Sequence, residues 1–273
     1  MDAAVPNDIA GPFPAVVILH SGYWSYGAKE NPEVTDAALY FLRKGVAVFL
    51  VNYYLTPLDT GLPPQPIGTS FPENVQDVAC AVRFVRQNAS TYNVDSARLG
   101  IYGVSAGGHL ALLSASMEES EPLLSTARCP SLAGVSHRVQ FVWGQAPPGT
   151  ISEIGAASFN GLTDALVGML GETYANNPSI YDAASVNTYV SPNDPPVVVG
   201  QGDNDTIVLP AWAQSLDAYY TSASTPHNLI LVPGANHVDI STYEGPYNLP
   251  IRCVAEPLMH STFSIAAPLV PAP

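Results

Sequence analysis

The chain has 273 residues and a mass of 28.8 kDa, enough to bury about three-quarters of the surface that its unfolded form exposes without help from metals or disulfides. Hydrophobic residues make up 47% and charged residues 12%, and no apolar run approaches the ~20 residues that span a bilayer, so disorder and a membrane span are excluded. A formal charge of −14 repels phosphate-rich polymers and argues against nucleic acid as a partner.

Short apolar runs alternate with longer helical patterns, which predicts an α/β fold of parallel strands joined by crossover helices. Residues 15–19 (AVVIL) and 46–51 (VAVFLV) read as strands buried on both faces, separated by a helix over 33–44 that stops at Gly45. A second helix fits 72–88, with Pro72 in its first turn and Val75, Val78, Ala79, Val82 and Val85 on one face. The unit repeats as a strand at 99–102, a helix from 106 to about 117 and a strand at 139–143.

Periodicity is then lost over 144–192, which suits an irregular, cap-like insertion with one short helix near 163–170. It resumes with a strand at 196–200, a helix at 210–221 and a strand at 228–232. The expectation is a single domain over 1–273, its mostly parallel sheet having about six strands flanked by helices. Pro6, Gly11, Pro12 and Pro14 argue against a hairpin ahead of residue 15, so N-terminal strands are expected to be missing. The exposed sheet edge would then need cover from the tail over 238–273 or from a second copy in a homodimer. A short tail helix near 257–264 is expected to bury Leu258, Met259, Thr262 and Phe263.

Cys80, Cys129 and Cys253 permit one internal bridge at most and form no metal-binding spacing, and buried free thiols are the expectation. The opening residues lack a basic segment followed by an apolar stretch, which favours a cytoplasmic location; few lysines and 26 prolines suit an extracellular protein as well.

The chemistry concentrates at strand ends. Gly103-Val104-Ser105-Ala106-Gly107 is a G-x-S-x-G immediately after a predicted strand and at the start of a helix. Such a turn needs small neighbours and projects the serine hydroxyl above the sheet, and the helix N-terminus offers the Ala106 N–H to a developing oxyanion. A serine helix cap followed by a glycine-rich turn is the competing reading. Serine needs a base, and His237 follows the last predicted strand by the short loop Pro233-Gly234-Ala235-Asn236. His20, His109, His137, His227 and His260 fall in another motif, inside a helix, or in loops and the tail.

An acid is required between serine and histidine, and Asp203 and Asp205 compete in the loop after residue 200. Asp205 is preferred because the loop must pass the sheet before turning back, while Asp203 suits a turn cap. Backbone N–H groups of Gly22 and Tyr23, in His20-Ser21-Gly22-Tyr23-Trp24, could complete an oxyanion hole with Ala106.

With GVSAGGHLA at 103–111, VVVGQGDND at 197–205 and LVPGANH at 231–237, the chain resembles α/β-hydrolases of the esterase/lipase group over about 15–240. The resemblance extends to hormone-sensitive-lipase-like enzymes, the bifunctional feruloyl/acetyl-xylan esterase type and kynurenine formamidases. It implies Ser105 as nucleophile, Asp205 as acid, His237 as base, and Gly22, Tyr23 and Ala106 as oxyanion hole. Ser21 departs from a family glycine, Gln201 from the histidine of an H-G-x-x-D turn, and Asn52-Tyr53-Tyr54-Leu55 from D-Y-R-L.

A cofactor-free, metal-independent carboxylesterase acting on a small-molecule ester through an acyl-enzyme is therefore expected. Trp24, Tyr26, Tyr54, Trp143 and Gln145 are expected to line its substrate pocket, with core packing as the alternative for Trp143 especially. An amidase or formamidase, a lactonase, a biosynthetic cyclase on the same residues, and a catalytically silent binding protein are the alternatives.

Overall fold

The computed structural model describes residues 1–7, 9–158, 160–241 and 246–265. From the N-terminus run β1 (Asp2–Ala4), β2 (Phe13–Leu19), α1 (Pro32–Arg43), β3 (Ala47–Val51), α2 (Glu73–Gln87), β4 (Val94–Val104) and α3 (Ala106–Ser116). After β5 (Phe141–Gln145) come α4 (Ile151–Ala157), α5 (Asn160–Leu170) and α6 (Pro178–Ala184), and then β6 (Val197–Gly202), α7 (Pro210–Ala223), β7 (His227–Val232), α8 (His237–Ser241) and α9 (Leu249–Phe263).

The strands form one sheet in the order β1-β3-β2-β4-β5-β6-β7, parallel except for β1. Residues alternate between two buried faces, as strands covered by helices on both sides require. Val17, Leu19, Phe49, Ile101 and Val199 meet α2, α3 and α7, whereas Val16, Ile18, Val48, Tyr102 and Val198 meet α1 and α9. Strand order reverses next to β2 and β4, so the loops after those strands converge at one end of the sheet.

Four expectations are corrected here. The N-terminal segment does contribute a strand: Asp2, Ala3 and Ala4 pair antiparallel with Leu50, Phe49 and Val48, and Lys29 Nζ lies 2.6 Å from Asp2 Oδ2. The prolines forbid a β1–β2 hairpin, but the residues before Pro6 keep their N–H donors and cap the edge from the far side of β3. Pro14 sits inside β2 at a register shift between Phe13 and Ala15, where a missing N–H is tolerated.

The stretch 144–192 is less irregular than its composition suggests. β5 extends to Gln145, and three helices follow, held by Ile151 and Ile154, by Leu162, Leu166 and Met169, and by Tyr181 and Ala184, all buried. Their brevity hides the period from a window that needs several turns. The tail helix is also longer than expected. Ile251, Ala255, Met259 and Phe263 form an i,i+4 stripe on the sheet face, Leu258 and Thr262 are half-buried, and Pro257 stays on the exposed side.

Cys80 of α2 and Cys129 are disulfide-bonded, with Cα atoms 6.0 Å apart, so these two are not free thiols, and the free Cys253 is exposed rather than buried. The bridge pins the 3-10 turns at Thr126–Arg128 and Pro130–Leu132 onto α2 across 49 residues of sequence, a proximity only the fold creates.

Candidate active site

Ser105 occupies the sharp turn between β4 and α3 with φ 52°, a left-handed conformation costly for a residue with a Cβ. The turn is held from below: Ser105 N–H donates to Gln145 O at 2.7 Å, and the Ser105 carbonyl accepts from His109 N–H. Gly107 is needed because a Cβ there would stand 2.4 Å from the His20 carbonyl oxygen. The strained serine is thereby presented 8% exposed at the edge of a cavity of about 380 Å³.

β7 delivers its following turn beside Ser105, and His237 opens α8 there. His237 Nε2 lies 3.0 Å from Ser105 Oγ, and Nδ1 lies 2.7 Å from Asp205 Oδ2. The second carboxylate oxygen accepts the backbone N–H groups of Ile207 (2.8 Å) and Val208 (2.9 Å). Burial alone would push the Asp205 carboxyl upward. The hydrogen bond and charge of His237 and the two backbone donors outweigh it and hold the group below the usual carboxylate range. A carboxylate that remains ionised keeps Nδ1 protonated and leaves Nε2 free to accept a proton from the serine. Asp203 lies elsewhere, its Oδ1 accepting the Gly234 N–H at 2.7 Å and tying together the loops after β6 and β7.

The loop after β2 borders the same cavity through Ser21, Gly22 and Tyr23. Three successive residues adopt positive φ: Gly22 (123°), Tyr23 (53°) and Trp24 (57°). A Cβ on Gly22 would stand 2.2 Å from the Tyr26 carbonyl oxygen. Tertiary contacts hold this strained path: Trp24 O accepts Thr56 N–H (2.8 Å), and Ser21 donates its hydroxyl to Glu33 Oε1 (2.8 Å). Ala106, the third expected oxyanion-hole residue, follows Ser105 and begins α3.

The expected pocket residues divide. Tyr26 is 52% exposed and, with Tyr23, Leu58 and Pro66, lines a groove of about 1080 Å³ between the proline-rich 57–69 loop and α5. Trp24 does not reach the cavity; its indole is fully buried and donates to His109. Trp143 is a core residue, edge-on to Tyr102 at 5.3 Å, because its side of β5 faces α1. Gln145 is also fully buried, its Nε2 donating to Asn248 Oδ1 (2.6 Å) while its carbonyl oxygen supports the serine turn, and it lines neither of these two cavities. Tyr54 lies outside both cavities, its ring 5.0 Å from the Arg128 guanidinium.

Arg128 pairs with Asp77 through Nε (2.5 Å) and Nη2 (3.0 Å), and Asp77 accepts the Tyr54 N–H (2.9 Å). An ion pair from α2 and the disulfide-pinned turn thus braces the segment that has lost the D-Y-R-L charges. Glu33, Asp36, Ile207, Val238 and Ser241 also line the serine cavity; no motif marks them, and only the packing of α1, α8 and the loop after β6 brings them together. Among the described residues, no Lys or Arg lines either cavity, and no group of His, Cys, Asp and Glu is arranged to hold a metal ion.

The chain is similar to known esterases in sequence and in fold. Esterase LipQ of Mycobacterium tuberculosis is 25% identical over 229 residues, covering 82% of this chain and 50% of LipQ, so the chain spans half the length of that relative. A truncated carbohydrate esterase from gut microbiota superposes with TM-score 0.77 at 20% identity, over 95% of this chain and 90% of the other. A thermophilic esterase of Thermogutta terrifontis, also solved phosphorylated by paraoxon, gives TM-score 0.75 at 20% identity, over 98% and 89%. The BD-FAE family model matches residues 1–220, and the chain belongs to this family of α/β-hydrolase esterases.

Proposed function

We propose that this protein is a serine carboxylesterase that works through an acyl-enzyme on Ser105. The observation that carries the reading is the continuous chain Ser105 Oγ, His237 Nε2, His237 Nδ1, Asp205 Oδ2, with links of 3.0 and 2.7 Å, opening on a cavity.

In this mechanism His237 Nε2 takes the hydroxyl proton as Ser105 Oγ attacks the ester carbonyl. The negative charge that develops on the carbonyl oxygen is met by the N–H groups of Gly22, Tyr23 and Ala106, of which each such donor contributes about 10²- to 10³-fold in rate. The intermediate collapses, the C–O bond to the alcohol breaks, and the leaving oxygen takes the proton from Nε2. Water then attacks the acyl-Ser105 with His237 again as base, releasing the acid and restoring the serine. Asp205 holds the imidazole in the productive tautomer throughout and offsets its positive charge.

Glu33 and Asp36 border the serine cavity and Asp164 the groove, so a neutral ester is favoured over an anionic one. The groove shares Tyr23 with the serine cavity and leaves room for a substituent far larger than acetyl.

Hydrolysis of p-nitrophenyl esters by wild type and Ser105→Ala, with paraoxon as covalent probe, tests the reading. Turnover that vanishes in the variant, with a diethylphosphoryl adduct on Ser105 of the wild type, is the expected result. Wild-type turnover in Ser105→Ala overturns it.

A further inference from the structure

Gln201 lies at the end of β6, wholly buried beneath the loop that carries Asp205. Its Nε2 donates to Asp205 Oδ2 at 2.9 Å and to the Val208 carbonyl oxygen at 3.0 Å, reaching the middle and the far end of that loop. Both partners only accept, so the amide presents its NH₂ here; turned over, Oε1 would face a carboxylate and a carbonyl. Oε1 itself finds no hydrogen-bond partner among the described residues. A buried acceptor left unsatisfied is a cost, and what it accompanies is a donor fixed on the carboxylate.

The Asp205 carboxylate then has a full set of donors. Ile207 N and Val208 N serve Oδ1, while His237 Nδ1 and Gln201 Nε2 share Oδ2. Of the four, only His237 passes a proton in the proposed reaction. Tyr23 also feels this carboxylate, but burial and the charge of Asp205 raise its phenol above the ordinary range, so it stays neutral in any assay near neutrality. Glu33 and Asp36 border the cavity from α1 and are common to every variant considered below.

We infer that Gln201 is a positioning residue for the reaction: its amide fixes Asp205 Oδ2 against His237 and limits how tightly that oxygen holds the imidazolium. This role rests on the reading of Ser105, His237 and Asp205 given above. An oxygen that shares its charge between two donors holds each less strongly than one that serves a single donor. Gln201 therefore keeps the imidazole aligned while leaving its proton easy to remove, and as a neutral amide it does so at every working pH.

Two variants of matched length test this: Gln201→Met, which removes the donor, and Gln201→Glu, which puts a second carboxyl against Asp205. Each is measured for kcat, KM and the pH dependence of kcat/KM on p-nitrophenyl acetate, beside wild type and Ser105→Ala. Gln201→Met is expected to lower kcat by about 10- to 100-fold with little change in KM, since misalignment near the reacting atoms acts on turnover. Its acid limb is expected at higher pH than wild type, because Oδ2 then serves His237 alone. Gln201→Glu, buried against the Asp205 carboxylate, keeps its proton and can still donate to Oδ2, so its limb is expected to stay near that of wild type.

A purely structural role lowers the melting temperature and the fraction of active enzyme but leaves the acid limb in place. An unmoved limb in Gln201→Met, or a limb raised in Gln201→Glu by as much as the loss of the donor would give, overturns the inference, whatever happens to kcat. If Ser105→Ala abolishes turnover while the Gln201→Met limb stays put, the role of Gln201 alone falls; if Ser105→Ala turns over normally, the underlying reading falls.

Discussion

The indole N–H of Trp24 donates to His109 Nδ1 at 3.1 Å, and both side chains are wholly buried. The other ring nitrogen, Nε2, lies 2.7 Å from the Ala184 carbonyl oxygen and must carry the hydrogen, which leaves Nδ1 as acceptor for the indole. One neutral imidazole thus ties the positive-φ loop bordering the serine cavity to α3 and to the end of α6. Protonation would set two N–H groups against each other. Burial agrees, pushing the His109 imidazole down to about 4.

The first prediction is a loss of stability on mild acidification. The unfolded chain binds a proton at His109 near pH 6.5 and the native one only near 4, so stability is full above 6.5 and falls as pH drops between the two. The difference corresponds to about 3 kcal/mol, and His20 and His137, lowered by burial, act in the same direction. Urea midpoints measured at pH 7.5 and 4.5 check this. Equal midpoints for the wild type would contradict it, and His109→Phe should flatten part of the slope.

The two acids of the loop after β6 give a second prediction. Asp205→Asn should lower kcat by about 10⁴-fold, since an amide no longer enforces the productive tautomer. Asp203→Asn can still accept the Gly234 N–H and should cost less than about 1 kcal/mol of stability with turnover nearly unchanged. The opposite order in steady-state kinetics would assign the acid to Asp203.

Where these side chains stand was legible because each sits where local geometry leaves little choice. A strand, a five-residue turn with glycine at both ends and a helix can be read from neighbouring residues, and the positions of Ser105 and His237 follow from chain order at the strand ends. Trp24, Trp143 and Gln145 were misplaced because strand-end position says nothing about direction. Which face of β5 turns toward α1, and that Trp24 folds inward to His109, are consequences of tertiary packing. The β1 pairing, the Cys80–Cys129 bridge and the groove between the 57–69 loop and α5 likewise join residues far apart in sequence, and no local period marks them.

The third prediction concerns the bridge. Closing a loop across 49 residues restricts the unfolded chain by about 4 kcal/mol in the chain-entropy account. Cys80→Ser, or reduction of the wild type, should lower the urea midpoint accordingly while the folded protein retains turnover, because neither cysteine lines the serine cavity or the groove. An unchanged midpoint under reducing conditions would show that the two cysteines do not pair in solution.

The last prediction concerns α9, which covers a sheet face rather than an edge. The Phe263 ring meets Phe141 edge-on at 6.0 Å, and its carbonyl oxygen accepts from Arg98 Nη1 at 2.9 Å, so the end of the helix is fastened to β4 and β5. Those two strands carry Ser105 and the Gln145 carbonyl that supports it. Phe263→Ala should therefore cost about 3 to 5 kcal/mol through the cavity it leaves. Truncation before Leu249 exposes Ile251, Ala255 and Met259 as well as Phe263, and should abolish cooperative unfolding along with activity. Circular dichroism melts and ester turnover on the two variants check this together. A truncated protein that melts cooperatively near the wild-type temperature would show that the face beneath α9 can be closed without it.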